Sequence, residues 1–417
     1  MNRRHFLVKA GKALLGVVSV SAPSAVPSFP ATADPRPGPR TEEGSRMHAH
    51  EVTLFVCGDV MTGRGVDQIL PHPSKPDLRE PYLRSALGYV ELAERASGPI
   101  PRPVDFAYVW GDALTELERM RPAARIINLE TAVTTSEEAW PRKRIHYRMH
   151  PGNVACLSAA KIDCCVLANN HVLDWGYRGL AETLDALRAA GIGTVGAGSN
   201  AAEAAAPATI EHRRGGRVLV FAYGTESAGV PRAWAAGEAR AGVSFLDELS
   251  PRTAEAIARQ VGAARRAGDI VVVSLHWGSN WGYGIAEEAR AFAHRLIDAA
   301  QVDLVHGHSS HHPKGIEVYR DRPILYGCGD LLNDYEGISG YEPFRPDLVL
   351  MYFPTFDAST GKLSRFALTP MQLRHFRLNR ARGLDVGWIE QTLNREGRAL
   401  GTRVERQADD TLVLRWA

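Results

Sequence analysis

The chain has 417 residues, of which 45% are apolar and 23% charged, with 49 basic against 47 acidic side chains. At roughly 150 residues per domain this allows two or three domains, or one large one with insertions. A formal charge of +2 excludes a generic nucleic-acid binder or a polybasic membrane-surface protein, and collagen-like, disordered and heptad-repeat compositions are excluded as well.

Residues 1–33 read as an address. Asn2-Arg3-Arg4-His5-Phe6-Leu7 is a twin-arginine start, and Lys9 and Lys12 follow it. Ala13 to Ala22 is mildly apolar, and Ala31-Thr32-Ala33 supplies the small residues a signal peptidase needs. The apolar run is far short of the ~20 residues that span a bilayer. Weak hydrophobicity behind paired arginines resembles Tat signals, so the expected location is periplasmic or otherwise extracytoplasmic. Passengers on that route cross folded, which would let this one collect a metal inside the cell. Residues 34–50 are Pro- and charge-rich and read as a linker.

From Glu51 onward, short apolar runs each end in polar residues. Val52 to Val56 stops at Gly58-Asp59, and Arg125 to Ile127 stops at Asn128-Leu129-Glu130. Ile162 to Leu167 leads into Ala168-Asn169-Asn170-His171, and Arg217 to Tyr223 is another run. Ile270 to Leu275 ends at His276-Trp277-Gly278, and Val302 to Val305 at His306-Gly307-His308-Ser309-Ser310-His311-His312. Pro323 to Tyr326 ends at Gly327-Cys328-Gly329-Asp330. Continuous apolar runs bounded by turn residues predict strands buried on both faces. Between them, Tyr177 to Ala190, Pro251 to Ala267 and Ala286 to Ala300 read as helices. The alternation predicts an α/β fold with a largely parallel sheet, whose polar strand ends gather along one edge where ligands bind. Residues 51–345 form the predicted main domain. Residues 346–417, with paired strands near 348–353 and 365–368, a helix over 386–396 and a strand over 411–415, complete its edge.

Five cysteines are too few for a disulfide scaffold. Cys164 and Cys165 lie in an apolar run. Cys57 and Cys328 each open a Cys-Gly-Asp triplet, so the two thiols could approach each other if the triplets meet, although buried apolar side chains are the simpler reading. Phosphate loops, a G-x-S-x-G elbow and H-E-x-x-H are all missing from the sequence.

Asp59, Glu130, Asn170, His276, His308 and His311 make a mixed oxygen and nitrogen set that suits divalent Mn, Fe or Zn better than Ca or Mg. Two ions about 3.5–4 Å apart can activate water and clamp a phosphoryl or acyl group. His171, directly after Asn170, is placed to protonate a leaving group. Each residue has a plainer reading, a structural histidine or a turn cap, and it is the convergence of six strand ends that points to a metal.

Several blocks together carry a resemblance: Gly58-Asp59-Val60-Met61-Thr62-Gly63-Arg64, Asn128-Leu129-Glu130, Tyr147-Arg148-Met149-His150-Pro151, Ala168-Asn169-Asn170-His171, His276-Trp277-Gly278, Gly307 to Glu317 and Gly327-Cys328-Gly329-Asp330. In this order, over about residues 51 to 340, the chain resembles the CapA family of poly-γ-glutamate capsule-synthesis proteins, a branch of the calcineurin-like metallophosphoesterases. The resemblance implies two β-sheets packed as a sandwich and flanked by helices, with the motifs at the carboxyl ends of strands. It implies a site of one or two ions, with Glu130 as the bridge. The superfamily's opening D-x-H is Asp59-Val60-Met61 here, so one histidine ligand is lost, and a single ion on Glu130, Asn170, His276 and His308 is the safer expectation. Arg64, one turn after Asp59, joins His171 as an expected catalytic residue.

Arg142, Lys143, Arg144, His146 and Arg148 form a basic cluster suited to carboxylates or phosphate. Arg144, Arg148 and Asp330 are the expected substrate contacts, and Trp277, Trp281 and Tyr283 either floor a groove or pack their loop. The implied function is an exported metal-dependent hydrolase or transferase acting on an anionic polymer or phosphoester, with capsule-synthesis membrane proteins as candidate partners and no nucleic acid. Two alternatives stand beside it, a non-catalytic polymer-binding or export accessory protein and a periplasmic phosphoesterase of small substrates.

Overall fold

In the strand β1 (Glu51–Val60) successive side chains leave on opposite faces. Val52, Leu54 and Val56 enter an apolar layer between two sheets, whereas Phe55 and Cys57 pack beneath helices on the other side. This strand sits in the middle of the first sheet of a computed structural model that describes residues 51–212 and 216–417. The expected signal and linker segments lie outside the described residues.

On one side of β1 run three parallel strands, β2 (Ala124–Leu129), β3 (Cys164–Val166) and β4 (Gly193–Val195). The second sheet is built from β5 (Arg217–Thr225), β6 (Ile270–His276), β7 (Leu304–His308), β8 (Ile316–Tyr319) and β9 (Arg322–Leu325). Its central order is β5-β6-β7-β9-β8, parallel except for β8, and the short strand Ala208–Glu211 also pairs antiparallel with β5. The chain then returns to the first sheet as β10 (Asp330–Leu332), parallel to the end of β1. The C-terminal tail adds an antiparallel half on the far side of β1: β11 (Leu348–Asp357), β12 (Leu363–Arg374), β13 (Thr402–Arg406) and β14 (Leu412–Trp416). The first sheet is therefore mixed, where the alternating pattern predicted a largely parallel one.

Helices cover both outer faces. On the first sheet lie α1 (Leu87–Ser97), α2 (Ala113–Met120) and α3 (Gly176–Ala189); on the second lie α4 (Pro251–Ala264) and α5 (Glu287–Ala300). Helix α4 shows why such a segment folds this way. Ser250 caps it by accepting the Thr253 N–H at 3.3 Å, Pro251 opens it, and Ala254, Ile257 and Val261 form one buried stripe. The helix α6 (Leu384–Gly397) adds Val386, Ile389 and Leu393 to the layer between the sheets. The architecture is thus the helix-flanked, two-sheet α/β sandwich that the family resemblance implied. None of the described helices is long and apolar enough to cross a membrane.

The inward faces of β6 and β7 change character along their length. They read Val272, Ser274, His276 and Leu304, His306, His308, apolar at the start and polar at the carboxyl end. The register sets His276 directly opposite His308. Across the layer, the parallel pairing of β1 with β2 and β10 sets Asp59 opposite Asn128 and Asp330. The polar ends of both sheets meet there.

Candidate metal centre

Strict alternation would turn Asp59 outward with Phe55 and Cys57. An irregularity in the β1–β2 register between Val56 and Asp59 re-aims it toward the centre, as bulges do beside functional sites. Gly58 makes the approach of β10 feasible, because a Cβ there would stand 1.6 Å from the Gly329 carbonyl oxygen. From the second sheet, Ser309 adopts φ +97, a range that normally favours glycine, and its N–H reaches Asp59 Oδ2 at 3.2 Å. Asn128 Nδ2 donates to the other oxygen, Oδ1, at 2.8 Å.

Among the described residues, two groups of three side chains can converge on a cation: Asp59, His276 and His308, and Asp59, His311 and Asp330. Within each group the ligand atoms lie within 4.8 Å of one another, and all five residues are buried. A relay of hydrogen bonds sets the first group's protons. The Cys57 carbonyl can only accept, so His306 Nε2–H donates to it at 2.7 Å. His306 Nδ1 then accepts from the Ser274 hydroxyl at 3.1 Å, and the Ser274 oxygen accepts His308 Nε2–H at 2.8 Å. That leaves a lone pair on His308 Nδ1. His276 Nε2–H donates to Asn170 Oδ1 at 3.2 Å, leaving a second lone pair on His276 Nδ1, only 2.8 Å from that of His308.

Two facing lone pairs beside a carboxylate repel one another unless something positive lies between them. The carboxylates tell the same story. Burial, then the neighbouring Asp330, raises Asp59 to about 7. Burial, then Asp59, pushes Glu130 well above the ordinary carboxylate range, and its Oε2 is buried with no hydrogen-bond partner. Burial drives His276 and His308 well below the usual imidazole range. For His311 burial pulls the same way, but the Asp330 carboxylate and its hydrogen bond outweigh it and the net shift is upward. Buried carboxylates beside the neutral His276 and His308 imidazoles fit a divalent cation of the Mn, Fe or Zn kind.

His171 stands beside this cluster with Nε2 3.7 Å from Glu130 Oε1. Its Nδ1 lies 3.0 Å from Lys143 Nζ but nearer, at 2.6 Å, to Asp174 Oδ2, a carboxylate that only accepts, so Nδ1–H donates there and Nε2 is the nitrogen left to work. Asp174 also accepts the Tyr147 N–H at 2.7 Å and is paired with Lys143. Burial, then the Lys143 charge, lowers His171 to about 4, so it rests neutral. The sequence did not single out Asp174. Its spacing of three residues after His171, at the start of a helix, is the signal that could have singled it out.

Several expected residues are placed differently. Asp59, not Glu130, is common to both ligand groups, because it lies between the end of β7 and β10, while Glu130 follows β2 on the His171 side. Asp330, expected to touch substrate, instead offers a ligand atom beside Asp59 and accepts from Asn333 Nδ2 at 2.8 Å. Arg64, expected to be catalytic, is buried and spent: it donates to Asp334, to Glu80 Oε1 at 2.9 Å and to Tyr89 at 3.0 Å, and lies over the Tyr89 and Tyr147 rings. Arg148 gives its donors to the Ser136 and Lys75 carbonyls and lies 4.1 Å over the Trp175 ring. Lys143 turns inward, and of the expected basic face Arg142 and Arg144 stay exposed. Trp277 is buried against Tyr326, whereas Trp281 stacks on Tyr341 at 4.1 Å. Cys57 and Cys328 are free buried thiols, not a disulfide, and burial raises both.

Because Arg64 balances two buried carboxylates, Arg64→Met is expected to destabilise the fold by about 3–5 kcal/mol. Urea unfolding would report this as a lower midpoint at unchanged slope.

Fold and site together define a helix-flanked two-sheet protein with an oxygen and nitrogen ligand cluster at its strand ends. The sequence profile described as bacterial capsule synthesis protein PGA_cap matches residues 53–335, and this chain belongs to that family. A Mycobacterium tuberculosis protein named "Probable polyglutamine synthesis accessory protein" is 51% identical over 366 residues, covering 87% of this chain and 96% of the relative. The "PGA biosynthesis protein CapA" of Bacillus subtilis is 26% identical over 76% of this chain and 70% of its own length. Among solved structures, a Mycoplasma pneumoniae phosphatase aligns with a TM-score of 0.39 at 9% identity, covering 77% of this chain and 94% of that one.

Proposed function

We propose that this capsule-synthesis family member is an exported, metal-dependent hydrolase or transferase that acts on the amide backbone of a poly-γ-glutamate-like polymer, or on a related anionic envelope substrate. The observation that carries this is the pair of ligand groups sharing Asp59, with an oriented His171 at their side. The names of the relatives supply the substrate class. A bound divalent cation supplies Lewis acidity and lowers the pKa of water. The chain's own groups do the rest. Asp59, His276 and His308 bind the cation, Asp330 and His311 extend the site, and Asn170 fixes the His276 ring. His171 Nε2 takes up a proton and delivers it to the leaving group, while Asp174 holds Nδ1 and stabilises the imidazolium formed in between. The twin-arginine start is the basis for export.

A second reading, a non-catalytic polymer binder, draws on the word "accessory" in a relative's name and on Arg142 and Arg144, which stay exposed beside the site. One experiment separates the two. Protein purified without added ions is analysed for Mn, Fe and Zn and assayed on γ-glutamyl peptides and phosphodiesters. Bound metal with turnover is the expected result; an inert, metal-free protein that still binds polyglutamate supports the second reading.

A further inference from the structure

The histidines of the two ligand groups carry their protons on opposite sides. In the first group the remote nitrogens of His276 and His308 donate, so the near nitrogens are open. In His311 the arrangement is reversed. Its Nε2 meets the side-chain Nδ2 of Asn280 at 2.9 Å, and an amide nitrogen can only donate, so Nε2 accepts. Nδ1 therefore carries the proton and gives it to Asp330 Oδ1 at 2.8 Å. This is also the nitrogen 4.0 Å from Asp59 Oδ2, the one a cation shared by Asp59 and Asp330 would need.

Asn280 is tied to His311 a second time, because its backbone carbonyl accepts the His311 N–H at 2.9 Å. It lies on the segment that leaves His276 at the end of β6 and leads to α5. Gly278 and Gly282, at φ +77 and +107, flank it with open space where a Cβ would project. The backbone clamp keeps residue 280 at the ring, and its side chain is exposed on the outer side.

We infer that Asn280 is a positioning residue for the cation held by Asp59, His311 and Asp330. Half a turn of its amide puts Oδ1 where Nδ2 stood, and Oδ1 accepts a proton-bearing Nε2. The Nδ1 proton is released to solvent while Nε2 holds a proton from solvent, so the ring that meets the cation is neutral and offers its Nδ1 lone pair. Metal-bound histidines usually donate their other N–H to such an oxygen, and losing that partner typically weakens binding about 10–100-fold. The first group needs no such change, so the two positions differ in how they are governed. The inference rests on the metal reading above.

The test uses Mn2+ titration calorimetry and metal content after desalting, on the whole protein. Asn280→Ala is expected to weaken the Mn2+ equivalent that His311→Ala removes, by about 10–100-fold, and to spare the equivalent that His276→Ala removes. Asn280→Asp, which can only accept, is expected to bind at least as tightly as the unaltered protein. Identical Mn2+ binding in Asn280→Ala and the unaltered protein overturns the inference and leaves the metal reading intact; so does an Asn280→Asp variant as weak as the alanine. An unaltered protein that takes up no Mn2+ contradicts the metal reading itself.

Discussion

Asp59→Asn is expected to cost the protein its divalent metal at both positions, with affinity falling by more than the ~100-fold typical of an outer-sphere loss. Asp59 is the only residue common to the two ligand groups, and its amide replacement keeps the shape while removing the charge. The same substitution has an opposite effect on the cation-free fold. Asp59 is raised from an ordinary 3.8 to about 7 by burial and by Asp330. Between those values the folded state holds a proton that the unfolded chain has released, so this carboxylate subtracts stability as pH rises through the window. In EDTA, Asp59→Asn should therefore gain on the unaltered protein from about pH 4 to about pH 7. A cation at ~100 times its dissociation constant should return about 2.7 kcal/mol to the unaltered protein and far less to the variant. Thermal unfolding across pH, with and without Mn2+, checks both signs. A variant that keeps its metal, or loses ground with rising pH, would contradict the placement of Asp59.

The second large effect is on turnover. His171→Ala is expected to lower kcat by about 10²–10⁴-fold, the usual worth of a positioned proton carrier, while metal content is unchanged. No ligand group includes His171, and its Nε2 faces Glu130 rather than Asp59. Asp174→Asn should act through His171. It removes the negative charge that stabilises the His171 imidazolium and leaves either Nδ1–H or Lys143 facing an amide NH2, so kcat falls with metal retained and with little change in KM. Metal loss in His171→Ala would show that the ring is a ligand and not a proton carrier.

Much of this site could be read from the chain because it is built on strand ends. The runs ending at Asp59, Glu130, Asn170, His276 and His308 are apolar and β-branched, and period-two alternation puts Ser274 and His276 on one face without any coordinates. What could not be read depends on register and on side-chain partners. Alternation alone turns Asp59 away from the centre, and only the irregularity before it brings it back. Glu130 was the expected bridge because the resemblance puts its block at that position, and residue type alone does not distinguish the two carboxylates. Arg64 looked catalytic and Arg148 looked like a substrate contact because spacing says nothing about Asp334, 270 residues from Arg64, or about the Ser136 carbonyl. The tail strands were legible as strands, but their antiparallel docking on β1 rests on contacts some 300 residues apart in sequence, such as the 2.9 Å bond between Thr53 and Thr355. Asn280 carried no signal of its own. Its importance appears only when the hydrogen on His311 is traced.

The most direct measurement is anomalous diffraction at the Mn edge from crystals soaked in Mn2+. A peak bonded to Asp59 and to the Nδ1 atoms of His276 and His308 is the predicted result. Full Mn2+ exposure with no peak there, or a peak held by other residues, would contradict it.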